Sequence, residues 1–142
     1  ASTQKETFAF ETTLGGNTIT RLLIEAANAG IKVKIWYAGL DCVELNIARV
    51  KARVDSGGHD IPENDIRKRW DGSRRNLIKL LPYIDSLRLY DNSEEADPET
   101  GKQPQPKLLL HIEAQKLVGP KLSYAPEWAK AIIAGALNTY EQ

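Results

Sequence analysis

Methionine is missing from the whole 142-residue sequence, position 1 included. Ala1 is therefore not expected to be a natural translation start, and sequence ahead of it is expected to be missing. Cysteine occurs once, at Cys42, which excludes an internal disulfide and fits a reducing cytoplasm. With His59 and His111 far apart and no second cysteine, no zinc site can be assembled from the usual ligands. No Ser-His-Asp or Cys-His arrangement has persuasive spacing. No apolar run approaches the ~20 residues of a membrane helix, and no signal peptide opens the chain. A membrane role is therefore not expected, and a cytoplasmic protein is. Net charge is also lacking, with 19 basic residues balancing 19 acidic ones. That balance argues against bulk attraction to nucleic acid or lipid.

What remains fits an ordinary globular chain. Hydrophobic residues make up 42% and charged residues 27%, and the length suits one domain with a real core. Residues 1–142 are read as that single domain. Thr7–Glu11 reads as a short strand, and Thr12–Asn17 as a glycine-containing turn. Thr18–Ala29 has Ile19, Leu22, Leu23 and Ala26 at helical spacing, with Gly30 as the stop. Ile31–Tyr37 alternates like a strand. Asp41–Asp55 reads as a helix opened by Asp41 and Glu44 and closed by Gly57 and Gly58. Pro62 starts a helix to about Trp70, and a second runs from Ser73 to about Leu81. Ser86–Tyr90 and Lys107–Ala114 read as strands, 94–106 as an exposed loop, and Leu117–Ser123 as a turn. Pro126–Tyr140 reads as a final amphipathic helix. Strands alternating with helices imply an α/β fold with a parallel sheet and crossover helices.

Charge is uneven along this frame. Residues 49–75 hold eight cationic side chains against five carboxylates, a net of +3. Arginine offers a planar fork of donors that suits phosphate oxygens, so 49–76 reads as a basic, lid-like helical segment. Strand tips in parallel sheets are where ligands bind. Here they carry Glu11, Thr12 and Thr13 after the first strand, and Asp91, Asn92 and Ser93 after Tyr90.

Taken together, FETTLGG, the following helix and strand, then RVDSGGHDIPENDIRKR and YDNS resemble the zeta-toxin-like branch of P-loop kinases. The resemblance runs from about Phe8 to Ser93 and weakens beyond. It implies a nucleotide-kinase fold with a mobile basic lid, and transfer of phosphate from ATP with magnesium to a hydroxyl acceptor such as a nucleotide sugar. It also implies an antitoxin protein as a possible partner. The family's phosphate loop, GxxxxGK[ST], is absent here. Gly15-Gly16-Asn17-Thr18 is the nearest glycine turn and lacks the lysine. The chain therefore resembles the C-terminal portion of such a kinase, with the first strand and phosphate loop expected upstream, and by itself it is expected to be inactive.

On this resemblance Glu11, with Thr12 and Thr13, positions acceptor or metal-bound phosphate. The plain alternative is an end-of-strand cap. Arg53, Arg67 and Arg69 are the lid arginines that would clamp phosphate, against the alternative of a solvated helical face. Arg67 and Arg69 are two apart and cannot share a helix face, so one is expected to enter the crevice while the other pairs with Asp71 or Glu63. Gly57, Gly58 and His59 form the lid hinge, His59 chiefly as a turn residue. Asn92 and Ser93 contact the nucleotide or cap a turn, Asn76 ties the lid to the core, and His111 packs. No direct metal ligand is assigned.

Two other readings stay open. Three helices with a basic middle resemble a helix-turn-helix nucleic-acid module, though neutrality argues against it. A non-catalytic remnant would act through an exposed sheet edge, as an oligomer or with a complementing N-terminal fragment.

Overall fold

The computed structural model describes residues 9, 11–12, 14–40, 42–93, 99–101, 103, 105–119 and 125–140. Ile19, Leu23, Ile24, Ala26 and Ala27 recur at helical spacing and pack helix α1 (Asn17–Asn28) on the main core. Strand β1 (Lys34–Gly39) alternates exposed Lys34, Trp36 and Ala38 with inward Ile35, Tyr37 and Gly39. Helix α2 (Val43–Asp55) buries Ile47 and Val50. Helix α3 (Glu63–Leu80) follows Pro62 and carries Glu63 and Asp65 in its first turn, where the helix dipole favours acids. Then come β2 (Ser86–Asp91), β3 (Lys107–Glu113), β4 (Lys116–Gly119) and helix α4 (Lys130–Tyr140). The Tyr140 hydroxyl reaches the carbonyls of Leu81 and Ile84 and anchors the end of α4.

The architecture is mixed α/β, and among the described residues the sheet has four strands in the order β1-β2-β3-β4. The expected all-parallel sheet is corrected here. Only β1 and β2 run parallel, joined through α2 and α3. The β2–β3 and β3–β4 pairs are antiparallel, because no crossover helix separates those strands. Residues expected to form a turn from Leu117 instead supply β4, after a hairpin at Ala114 (φ 49°) and Gln115 (φ 61°).

A second correction concerns the basic segment. The two helices expected on either side of Asp71-Gly72 are one continuous helix, α3. Gly72 does not break it. That glycine lets the helix approach the loop before α1, since an added Cβ would lie 3.0 Å from the Gly15 carbonyl oxygen. The strand expected at Thr7–Glu11 falls largely outside the described residues; Ala9 and Glu11 are exposed and not in a strand. Asp41, the expected cap of α2, also lies outside them, and Cys42 holds the N-cap position. Of the 94–106 loop, residues 94–98, 102 and 104 lie outside them, and Glu99–Gly101 is an exposed turn.

One helix serves two cores. Leu77 and Leu80 of α3 join Leu81, Ile84, Leu87, Leu89, Ile112 and Ile132 in the main core. Ile66, near the start of α3, packs instead with Ile47 and Val50 in a smaller cluster, backed by Val43, Val54 and Ile61. So α2 and the first half of α3 form a helical arm standing on the sheet. Among the described residues, no helix is long and apolar enough to cross a membrane.

Candidate functional site

A cleft of about 360 Å³ opens where the arm meets the sheet. Its floor is the second half of β1, from Trp36 through Gly39, with Leu40 just beyond the strand. Its far wall comes from α2 (Asn46, Val50, Arg53) and α3 (Ile66, Arg69, Trp70, Ser73, Arg74), with Ile61 between them. Thr12 and Trp128 complete the lining. All three tryptophans of the chain therefore border one space. The cleft lies at the junction of the main core and the arm's smaller cluster, which is where an α/β sheet presents the carboxyl end of a parallel strand.

Aromatic and hydroxyl groups shape the floor. Tyr37 and Ser73 share a hydrogen bond of 2.8 Å between β1 and α3. Burial pushes the Tyr37 phenol above its ordinary value, against the opposing pull of the Ser73 hydrogen bond and the Arg74 charge. The ring packs 6.4 Å from that of Trp128, tilted by 32°. Trp128 is buried, and its indole Nε1 has no hydrogen-bond partner among the described residues.

The arginines divide into three kinds. Arg53 and Arg69 line the cleft, and among the described residues no hydrogen bond or ion pair occupies either guanidinium. Arg74 also lines it, with its guanidinium carbon 3.6 Å from the Trp70 ring centre and an ion pair to Asp71 at 3.0 Å. Arg67 lies outside the lining. It grips Glu63 at 2.9 Å and reaches Glu44 at 3.5 Å. Hydrogen bonding to Glu63 raises its pKa, while a backbone hydrogen bond, aided by Arg67, holds the Glu44 carboxyl below its usual range. These pairs are exposed and count for little in stability.

Of the other residues singled out in the sequence, the cleft takes in Thr12, whose Oγ1 accepts a hydrogen bond from the Leu14 amide at 3.2 Å. Glu11 is exposed and not part of the lining, and Thr13 lies outside the described residues. Asn92 and Ser93 sit beside the cleft rather than in it. The Asn92 amide donates to the Gly39 carbonyl at 2.8 Å. The Ser93 amide and hydroxyl both donate to the Asp91 carboxylate. That arrangement closes the end of β2. Gly57 and Gly58 form the C-terminal stop of α2: their amides donate to Val54 and Arg53 carbonyls, and Gly57 has φ 97°, the left-handed geometry this cap requires. His59 is exposed beside them and is not part of the cleft lining. Asn76 is buried and donates to the carbonyls of Leu14 and Gly16, tying α3 to the loop before α1.

Tyr37, Ser73, Arg74 and the three tryptophans were not singled out in the sequence. Their elements meet only in the tertiary fold, and a tyrosine in an alternating strand carries no signal beyond burial. Arg74 four residues after Trp70 was the one local hint, since that spacing stacks a cation on a ring along a helix.

Chemically, the lining can hold an anion and stack a planar or apolar group. Among the described residues, no carboxylate, histidine or cysteine lines it, and no group of acids, histidines or cysteine is arranged to hold a metal ion.

No family model matches this chain, and no solved structure matches it. A curated relative from Haemophilus influenzae, described as an uncharacterized protein, is 44% identical over 63 residues. The match covers 44% of this chain and 45% of the relative, so the chain spans under half the length of the curated relative it matches.

Proposed function

We propose that the cleft binds a phosphate-bearing small molecule, and that the chain is the C-terminal part of an ATP-dependent kinase resembling zeta toxin. The acceptor would carry a hydroxyl group, as a nucleotide sugar does. One observation carries the reading: Arg53 and Arg69, from different helices, border a single cleft at the carboxyl end of β1 with no partner among the described residues. Guanidinium forks without a carboxylate are suited to phosphate oxygens. The ring of Trp70, on the same helix as Arg69, offers a surface for a base or sugar.

ATP would supply the transferable phosphoryl group. Arg53 and Arg69 would hold its phosphates, or those of the product, and Arg74 would add positive field from its place on Trp70. Among the described residues the lining offers no ligand set for magnesium, which would arrive on the nucleotide. Residues 1–142 carry no GxxxxGK[ST] phosphate loop, so this chain alone is expected to bind but not to catalyse.

Calorimetric titration with ATP and pyrophosphate, paired with a phosphotransfer assay, tests this. Saturable one-site binding without turnover is expected. Turnover by this chain alone, or no binding of either anion, would overturn the reading.

A further inference from the structure

The cleft has a property that a phosphate pocket does not need. Trp36 to Leu40 are consecutive, and all border it. Neighbouring side chains of a strand point to opposite faces, so the space runs along the strand's edge rather than over one face. β1 is an outer strand of the sheet. Its carbonyls at Val33 and Gly39 accept amides from the β2 side, from Asp85, Ser86 and Asn92. Main-chain groups alternate sides along a strand, so Val33, Ile35, Tyr37 and Gly39 face β2. Lys34, Trp36 and Ala38 turn their N–H and C=O groups to the open edge.

Edges of this kind accept strands unless they are guarded. Lys34 guards one end. Trp36 is 75% exposed and Ala38 is exposed, so among the described residues no strand covers the stretch beside the cleft. We propose that this edge is a strand-accepting groove for an extended segment of another polypeptide with carboxylates on alternate residues. Charge decides the pattern. Side chains of an added strand that point to the helix side would meet Arg53 and Arg69. The intervening ones would lie on the opposite sheet face against the exposed indole of Trp36, a surface that suits apolar side chains. Affinity would come from main-chain hydrogen bonds and specificity from the alternation. The inference goes beyond the phosphate reading and does not depend on it.

A peptide of about eight alternating Glu and Val residues is the probe, with an alternating Lys and Val peptide beside it. The Glu peptide is expected to change tryptophan fluorescence and to slow hydrogen exchange at the Trp36 and Ala38 amides. Methylating its backbone nitrogens should weaken binding by about tenfold or more. Ala38→Pro should do the same while leaving the urea midpoint close to that of the parent, since proline is tolerated where an edge N–H faces outward. Equal binding of the methylated or the Lys peptide, no binding of the Glu peptide, or unchanged exchange at Trp36 and Ala38 would overturn the proposal. A dimer in sedimentation that Ala38→Pro dissociates would give the edge to a second copy of this chain, and would overturn it too.

Discussion

At the scale of single residues, two polar side chains hold the cleft's geometry. Asn76 is buried and serves the Leu14 and Gly16 carbonyls. Leu14 is itself buried with φ 54°, a conformation that side chains disfavour, so its loop needs such a clamp. Asn76→Ala should cost about 2 kcal/mol, because two partly or fully buried acceptors lose their donor; urea denaturation measures it. Tyr37 adds a pH effect. Burial raises its folded-state phenol above the ordinary value, so its contribution to stability is fully present below about pH 10. That contribution is lost as pH rises through the raised value, because the unfolded chain ionises first. Tyr37→Phe should cost about 1 kcal/mol at neutral pH through the lost Ser73 hydrogen bond. It should also flatten the alkaline fall in stability, leaving the part due to Tyr140, whose phenol burial also raises. Urea midpoints at neutral pH and above pH 10 check both.

At the scale of elements, much of the fold was legible in the sequence. The helices of α1 and α2 followed from apolar spacing and glycine stops, and β2 and β3 from their alternation. What failed has physical causes. Gly72 read as a break because glycine is a poor helix former, but here it serves a close approach to a distant loop that no local pattern reveals. The β3–β4 hairpin turns on Ala114 and Gln115, both at positive φ, where Asn-Gly would have announced it. At the site, Arg53 and Arg69 were legible as candidates, and the structure brings both to one cleft. The partners of Arg67 were legible as alternatives only. Which residues share the cleft depended on α3 passing through two cores. If that helix joins the arm to the sheet, Gly72→Ala should loosen the junction, because its Cβ meets the Gly15 carbonyl at 3.0 Å. A loss of about 1–3 kcal/mol is expected, with faster amide exchange in the loop around Gly16. A stabilised variant with unchanged exchange would contradict this packing.

On the scale of the whole molecule, one sheet and one projecting arm enclose a cationic, tryptophan-rich cleft in a chain of zero net charge. Neutrality matters, since it separates a local anion site from general attraction to polyanions. The most direct measurement is pyrophosphate affinity in four proteins: the parent chain, Arg53→Ala, Arg69→Ala and Arg67→Ala. The account predicts about a tenfold loss for each of the two cleft arginines, from a charge-assisted hydrogen bond removed. It predicts a change of less than about twofold for Arg67→Ala, whose partners are exposed acids. Equal loss from Arg67→Ala, or unchanged affinity in Arg53→Ala and Arg69→Ala, would contradict it.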